Sequence, residues 1–150
     1  MLDYTELRNT LKTGDLVFIQ GTSIYSKITK GLQYLEGFST YRTTHCGVVI
    51  WLEGRLLLAE MDGKYNVLRP LSQHKEHIIY VYHNQGLIKP VDKLFTDLLD
   101  IKLEYDIKDF LSIALHKLFG FYLKDDKNAI VCSEYCARWL ALCGYNIPNT

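Results

Sequence analysis

The chain has 150 residues, enough for one domain with a real core. Seventeen basic and seventeen acidic side chains cancel, which argues against a nucleic-acid-binding surface, since that wants a basic excess on one face. With 48% apolar and 23% charged residues the composition is that of a soluble globular protein, and no stretch approaches the roughly 20 apolar residues of a membrane-spanning helix.

The N-terminal stretch MLDYTELRNTLKTGD lacks the basic region and apolar run of a signal peptide, so the expected location is cytoplasmic. DYTELRNTLKTG reads as a short helix, with Asp3 as N-cap, Glu6 completing a capping box and Gly14 as the stop. DLVFIQ is a short apolar strand. In TSIYSKITKGLQYL, Ile24, Ile28 and Leu32 are spaced as one helix face. HCGVVIWL and RLLLAEM are strands joined by Glu53-Gly54, a two-residue hairpin turn. NVLRPL and HIIYVYH are two more strands. KPVDKLFTDLLDIKLE and YDIKDFLSIALHKLFG have helical spacing, the second starting near Asp106 and Asp109 and stopping at Gly120. FYLKDDKNA is a polar loop. The last helix is expected from Cys132 to Leu142, with Gly144 as C-cap and Pro148 beyond. Helices and strands are thus segregated around a central antiparallel block, an α+β pattern in a single domain.

Four cysteines (Cys46, Cys132, Cys136, Cys143) default to free thiols in a reducing compartment, and their spacing is wrong for a zinc ribbon. Cys132 falls in the first turn of the last helix, where unpaired N–H groups and the positive end of the macrodipole stabilise a thiolate and could bind an oxyanion. That placement predicts a thiol pKa pulled toward neutrality. Positions 132, 136, 140 and 143 share a face, so Cys132, Cys136, Leu140 and Cys143 are expected to form an apolar stripe, with Glu134 and Arg138 outside it at i, i+4 spacing. Two readings stand at this point: small core hydrophobes throughout, or one nucleophile at the helix tip.

A thiol nucleophile wants an imidazole held by an acceptor. Of the five histidines, His45 opens a strand and is followed by Cys46 and Gly47, small residues that would leave room for substrate. Strand alternation sends Cys46 to the opposite face, toward the core. With Glu53-Gly54 as the turn, paired positions sum to 107. His45 then faces Asp62, and Glu60 faces Gly47, diagonal to His45; either acid could hold the ring. His74 and His77 have a spacing that could bind metal on a helix, but no third ligand is apparent, so neither a metal nor a cofactor is expected.

TGDLVFIQ, THCGVVIWLEGRLLLAEMDG, NVLRPLS, YDIKDFLSIAL and VCSEYCARWLALCGY stand in an order that resembles the circularly permuted branch of the NlpC-type papain-like hydrolases, the YiiX-like proteins related to the lecithin–retinol acyltransferase group. The resemblance runs from about Thr13 to about Tyr145. It implies a permuted papain-like fold, with a central antiparallel sheet packed against helices. It also implies Cys132 as nucleophile, His45 as base and Glu60 as the residue orienting it, with Asp62 in reserve. Where that histidine is often followed by a branched apolar residue, this chain has Cys46.

The activity so implied is acyl transfer through a Cys132 thioester, on a peptide-type amide or an acyl-bearing ester. The N–H of Cys132 would serve as one oxyanion donor, and Gln20, beside the GD strand, is a candidate for the second. A lipid acyltransferase, and a non-catalytic module that uses the cleft for binding, are the competing expectations.

Overall fold

A five-stranded antiparallel sheet organises the computed structural model, which describes residues 4–22, 24–35, 43–62, 64–84, 104–105 and 129–142. The elements in chain order are α1 (Tyr4–Thr10), β1 (Leu16–Gln20), α2 (Ile24–Leu35), β2 (His45–Leu52), β3 (Arg55–Met61), β4 (Asn66–Pro70), a 3-10 turn (Leu71–His74), β5 (Ile78–Tyr82), β6 (Glu104–Tyr105), β7 (Ala129–Ile130) and α3 (Cys132–Leu142). The sheet order is β4-β3-β2-β1-β5, and β6 and β7 make a separate parallel pair.

The β2–β3 hairpin has the expected turn. Glu53 and Gly54 take φ values of 48° and 74°, the paired left-handed conformation that matches the twist of the strands they join. The register follows from it, with Leu52 opposite Arg55 and Gly47 opposite Glu60. Gly47 leaves no room for substrate, contrary to expectation. A Cβ there would lie 2.8 Å from both the Ala59 carbonyl oxygen and Leu58 Cγ, so the glycine lets β3 approach closely instead.

Alternation gives the sheet two apolar faces. On one, Leu16, Cys46, Val48, Ile50, Ala59 and Met61 pack against Tyr135, Cys136 and Trp139 of α3. On the other, Val17, Ile19, Val49, Leu56 and Leu58 are covered by Leu11 and Leu71, with Tyr4 and Leu7 of α1 beside them. The buried face of α3 is therefore centred on Tyr135, Cys136 and Trp139. Cys132 and Leu140 lie at its margin, partly buried, and Glu134 and Arg138 are exposed. The expected stripe is rotated because two aromatic side chains bury more apolar area than two thiols do.

The opening of β1 explains the GD pair. Gly14, at a φ of 93°, turns the chain and donates to the Val49 carbonyl, and Val49 N–H donates back to Asp15. The Asp15 carboxylate, 1% exposed, accepts from the N–H groups of Lys12 and Asn84 and from His83 Nδ1. Gly14 thus serves this turn rather than the stop of α1, which ends at Thr10.

β4 and β5 are opposite edges of the sheet, yet only residues 71–77 connect them. Crossing four inter-strand spacings means covering about 19 Å, within reach of so short a link if it runs directly under the sheet. Leu71 anchors it there, fully buried. That crossing carries His74 beneath the end of β3.

Glu104 and Tyr105, expected in helix, form strand β6 on Ala129 and Ile130. The rest of both predicted helices, the polar loop before Ala129, and the expected caps Asp3, Gly144 and Pro148 lie outside the described residues, as does Cys143. Among the described residues no helix is long and apolar enough to cross a membrane.

Candidate active site

Three strand ends and one helix tip meet at the site. β2 begins at His45, which pairs with Ile19 near the end of β1; β3 is about to end at Glu60; α3 begins at Cys132. The tip of α3 is well made. Val131 N–H donates to the Glu134 carboxylate at 3.0 Å, and Tyr135 N–H donates to the Val131 carbonyl in the first helical bond. This is the reciprocal half of a capping box, with Glu134 at the third helical position. The N–H groups of the first turn have no acceptor four residues back within the helix, so they remain available around the Cys132 sulfur.

Glu60 is the centre of the polar network. It is 1% exposed and shares its face with His45, as the register dictates. His45 Nε2 donates to Glu60 Oε2 at 2.7 Å. His74 Nε2 lies 3.1 Å from the same oxygen and 3.3 Å from Oε1, and Arg69 Nε lies 3.3 Å from Oε1. Burial alone would favour the protonated acid, but hydrogen bonds from His45 and His74 outweigh it and bring Glu60 down to about 2.

Asp62 does not reach the histidine. It lies just past the end of β3, half exposed, and pairs with Arg69. A carboxylate beyond the last ladder residue is free to turn toward solvent and the nearest guanidinium.

The Cys132 thiol lies close enough to His45 and Cys46 for each to shift its protonation. His45 and Cys46 point to opposite faces of β2, and the sulfur comes near both where that strand begins, at His45. With Nε2 committed to Glu60, Nδ1 is the ring nitrogen left for the sulfur. Burial pulls His45 down, yet its hydrogen bonds with Cys132 and Glu60 prevail and raise it to about 9. The thiol itself is not pulled toward neutrality. Its hydrogen bond with Cys46, and then its burial, push it up, against a downward pull from His45. The helix-tip argument failed to anticipate this because it considered the backbone around the sulfur and not the neighbouring thiol.

Gln20 lies at the same end of the sheet and on the α3 face, two residues after Phe18, which packs against that cluster. Its side-chain carbonyl oxygen is buried with no partner among the described residues.

His74 and Arg69 were the residues sequence reasoning missed as partners of Glu60. Arg69 had a legible signal. It pairs with Leu58 on the ladder, one diagonal step from Glu60 on the same face. His74 had none, because the crossing of the 3-10 turn under the sheet is not a local feature. His77 lies beside it, its ring tilted by 53° with centroids 5.7 Å apart. Among the described residues no group of three or more His, Cys, Asp or Glu side chains is arranged to hold a metal ion.

No protein-family model matches the chain, and no curated protein matches it either.

Proposed function

We propose that this protein is a papain-like cysteine hydrolase that cleaves an amide or ester through an acyl-thioester on Cys132. The supporting observation is one arrangement: the Cys132 thiol, at a helix tip, lies close enough to feel an imidazole that is 2.7 Å from a buried carboxylate. His45 takes the thiol proton, and the sulfur attacks the substrate carbonyl. The first-turn N–H groups of α3, that of Cys132 among them, steady the oxyanion. His45 then protonates the leaving group, and water resolves the thioester by the same route in reverse. Glu60 fixes the ring and balances the imidazolium charge. A permuted NlpC-type arrangement, of the YiiX-like kind, draws support from the antiparallel five-stranded sheet and from a nucleophile that follows its base in sequence.

A second reading, a binding module on the same fold, draws on the upward pull of Cys46 on the thiol, which disfavours a standing thiolate. One experiment separates the two. The protein is incubated with a panel of acyl and peptidyl electrophiles, and adducts are read by intact mass and peptide mapping. The hydrolase acquires an adduct on Cys132 that its Cys132→Ala and His45→Ala variants lack. Slow, equal labelling of every cysteine would sink the hydrolase and leave the binding module.

A further inference from the structure

Cys46 has no role in the triad, yet it is the residue on which the thiols of α3 converge. It is buried opposite the helix, with its sulfur 3.6 Å from that of Cys136. Cys132, one turn earlier, packs against the same cluster, and all three are free thiols. Ordinary core filling explains one cysteine, but not three sulfurs gathered beside a nucleophile.

We propose that Cys46 is the resolving thiol of Cys132, capturing the oxidised nucleophile as an intramolecular Cys46–Cys132 disulfide that shuts the site reversibly. This rests on Cys132 being the reactive thiol of the proposed function. The oxidant is a peroxide. His45 takes the Cys132 proton and the sulfur attacks the O–O bond; the sulfur is oxidised to the sulfenic acid, and the reduced oxygen takes the proton from His45 and leaves as water or an alcohol. The Cys46 sulfur then attacks the Cys132 sulfur. An S–S bond forms, the S–O bond breaks, and the hydroxyl leaves as water with the proton of Cys46. An external dithiol restores both thiols.

Geometry selects Cys46 over Cys136 as the partner. Residues four apart on a helix hold their Cβ atoms about 5–6 Å apart, beyond the ~3.5–4.5 Å that a disulfide requires. Cys46 approaches from the sheet instead, free of that constraint. Cys132 already packs against the cluster that holds Cys46, close enough for the two thiols to shift each other's protonation. Burial keeps Cys46 from reacting with bulky oxidants, while the partly exposed Cys132 takes the first hit.

The test treats the full chain with a several-fold molar excess of hydrogen peroxide, followed by iodoacetamide labelling and non-reducing peptide mapping. The expected product has lost two hydrogens in mass, carries a Cys46–Cys132 crosslink and no longer labels at Cys132; dithiothreitol restores the labelling. In Cys46→Val, which keeps the core filled, Cys132 should proceed to the sulfinic acid, and dithiothreitol should not recover it. Cys136→Ala should still form the crosslink. Wild-type Cys132 over-oxidising as fast as in Cys46→Val would overturn the proposal, as would a crosslink confined to Cys46 and Cys136. A crosslink that forms in a protein turning over no acyl substrate would refute the hydrolase and leave this inference standing.

Discussion

Two buried carboxylates, each 1% exposed and each bonded to a histidine, lie two strands apart, one just before β1 and one on β3, and are held in different ways. Asp15 is tied mainly by backbone, through the N–H groups of Lys12 and Asn84, which fastens the start of β1 to the end of β5. Its histidine, His83, is 54% exposed and faces no thiol among the described residues. Glu60 is held by side chains, those of His45, His74 and Arg69, and its histidine touches a thiol. A carboxylate locked by backbone is a clamp. One held by side chains leaves its charge to be felt by a base, and that distinguishes a site from a joint.

Substitutions on the two sides should therefore break different things. The largest effect is expected for Cys132→Ala, which should lower acyl turnover by on the order of 10⁶-fold while leaving the fold intact. Glu60→Gln comes next. Turnover should fall by on the order of 10³- to 10⁴-fold, with the pH midpoint for Cys132 alkylation moving toward acid as His45 loses its counter-charge. Asp15→Asn should do the reverse, costing about 1–3 kcal/mol in denaturant unfolding because a buried acceptor of backbone N–H groups is weakened, with Cys132 labelling unchanged in the folded protein. If Asp15→Asn abolished labelling at full stability, the contrast between clamp and site would collapse.

The same contrast fixes the pH dependence. Glu60, brought from 4.5 to about 2, contributes stability that is present above about 4.5 and lost as pH falls through about 2. His45, raised from 6.5 to about 9, contributes stability present below 6.5 and lost as pH rises through about 9. Thermal unfolding should thus peak between about 4.5 and 6.5. Alkylation of Cys132 should keep rising up to about 9, where the coupled thiol and imidazole lose their first proton. Coincident maxima for stability and alkylation would contradict the coupling. The smallest effect is expected at His83→Ala: within about 1 kcal/mol of stability, since its ring is half exposed, and none on labelling.

Sequence alone carried the local pieces far. Strand alternation and the Glu53-Gly54 turn fixed the β2–β3 register, and with it the face that Glu60 and His45 share. The bounds of α3 were legible from its capping residues and apolar spacing. Where local signals competed, the reading failed. Glu104 and Tyr105 extend a helical pattern but pair with a strand some 25 residues on, a partner that periodicity cannot see. Register put Asp62 directly opposite His45 and Glu60 only on the diagonal, and the end of β3 at Met61 reversed that order.

What the chain determined by itself, then, was the pattern of strands, the hairpin register and the residue types able to do thiol chemistry, because these follow from backbone preferences a few residues apart. Tertiary structure alone decided three things: that the sulfur at the tip of α3 comes beside the ring at the start of β2, that it packs against the cluster holding Cys46, and that a link under the sheet brings His74 to Glu60. Each joins residues distant in sequence, and such contacts are set by how whole faces bury against one another rather than by any local preference.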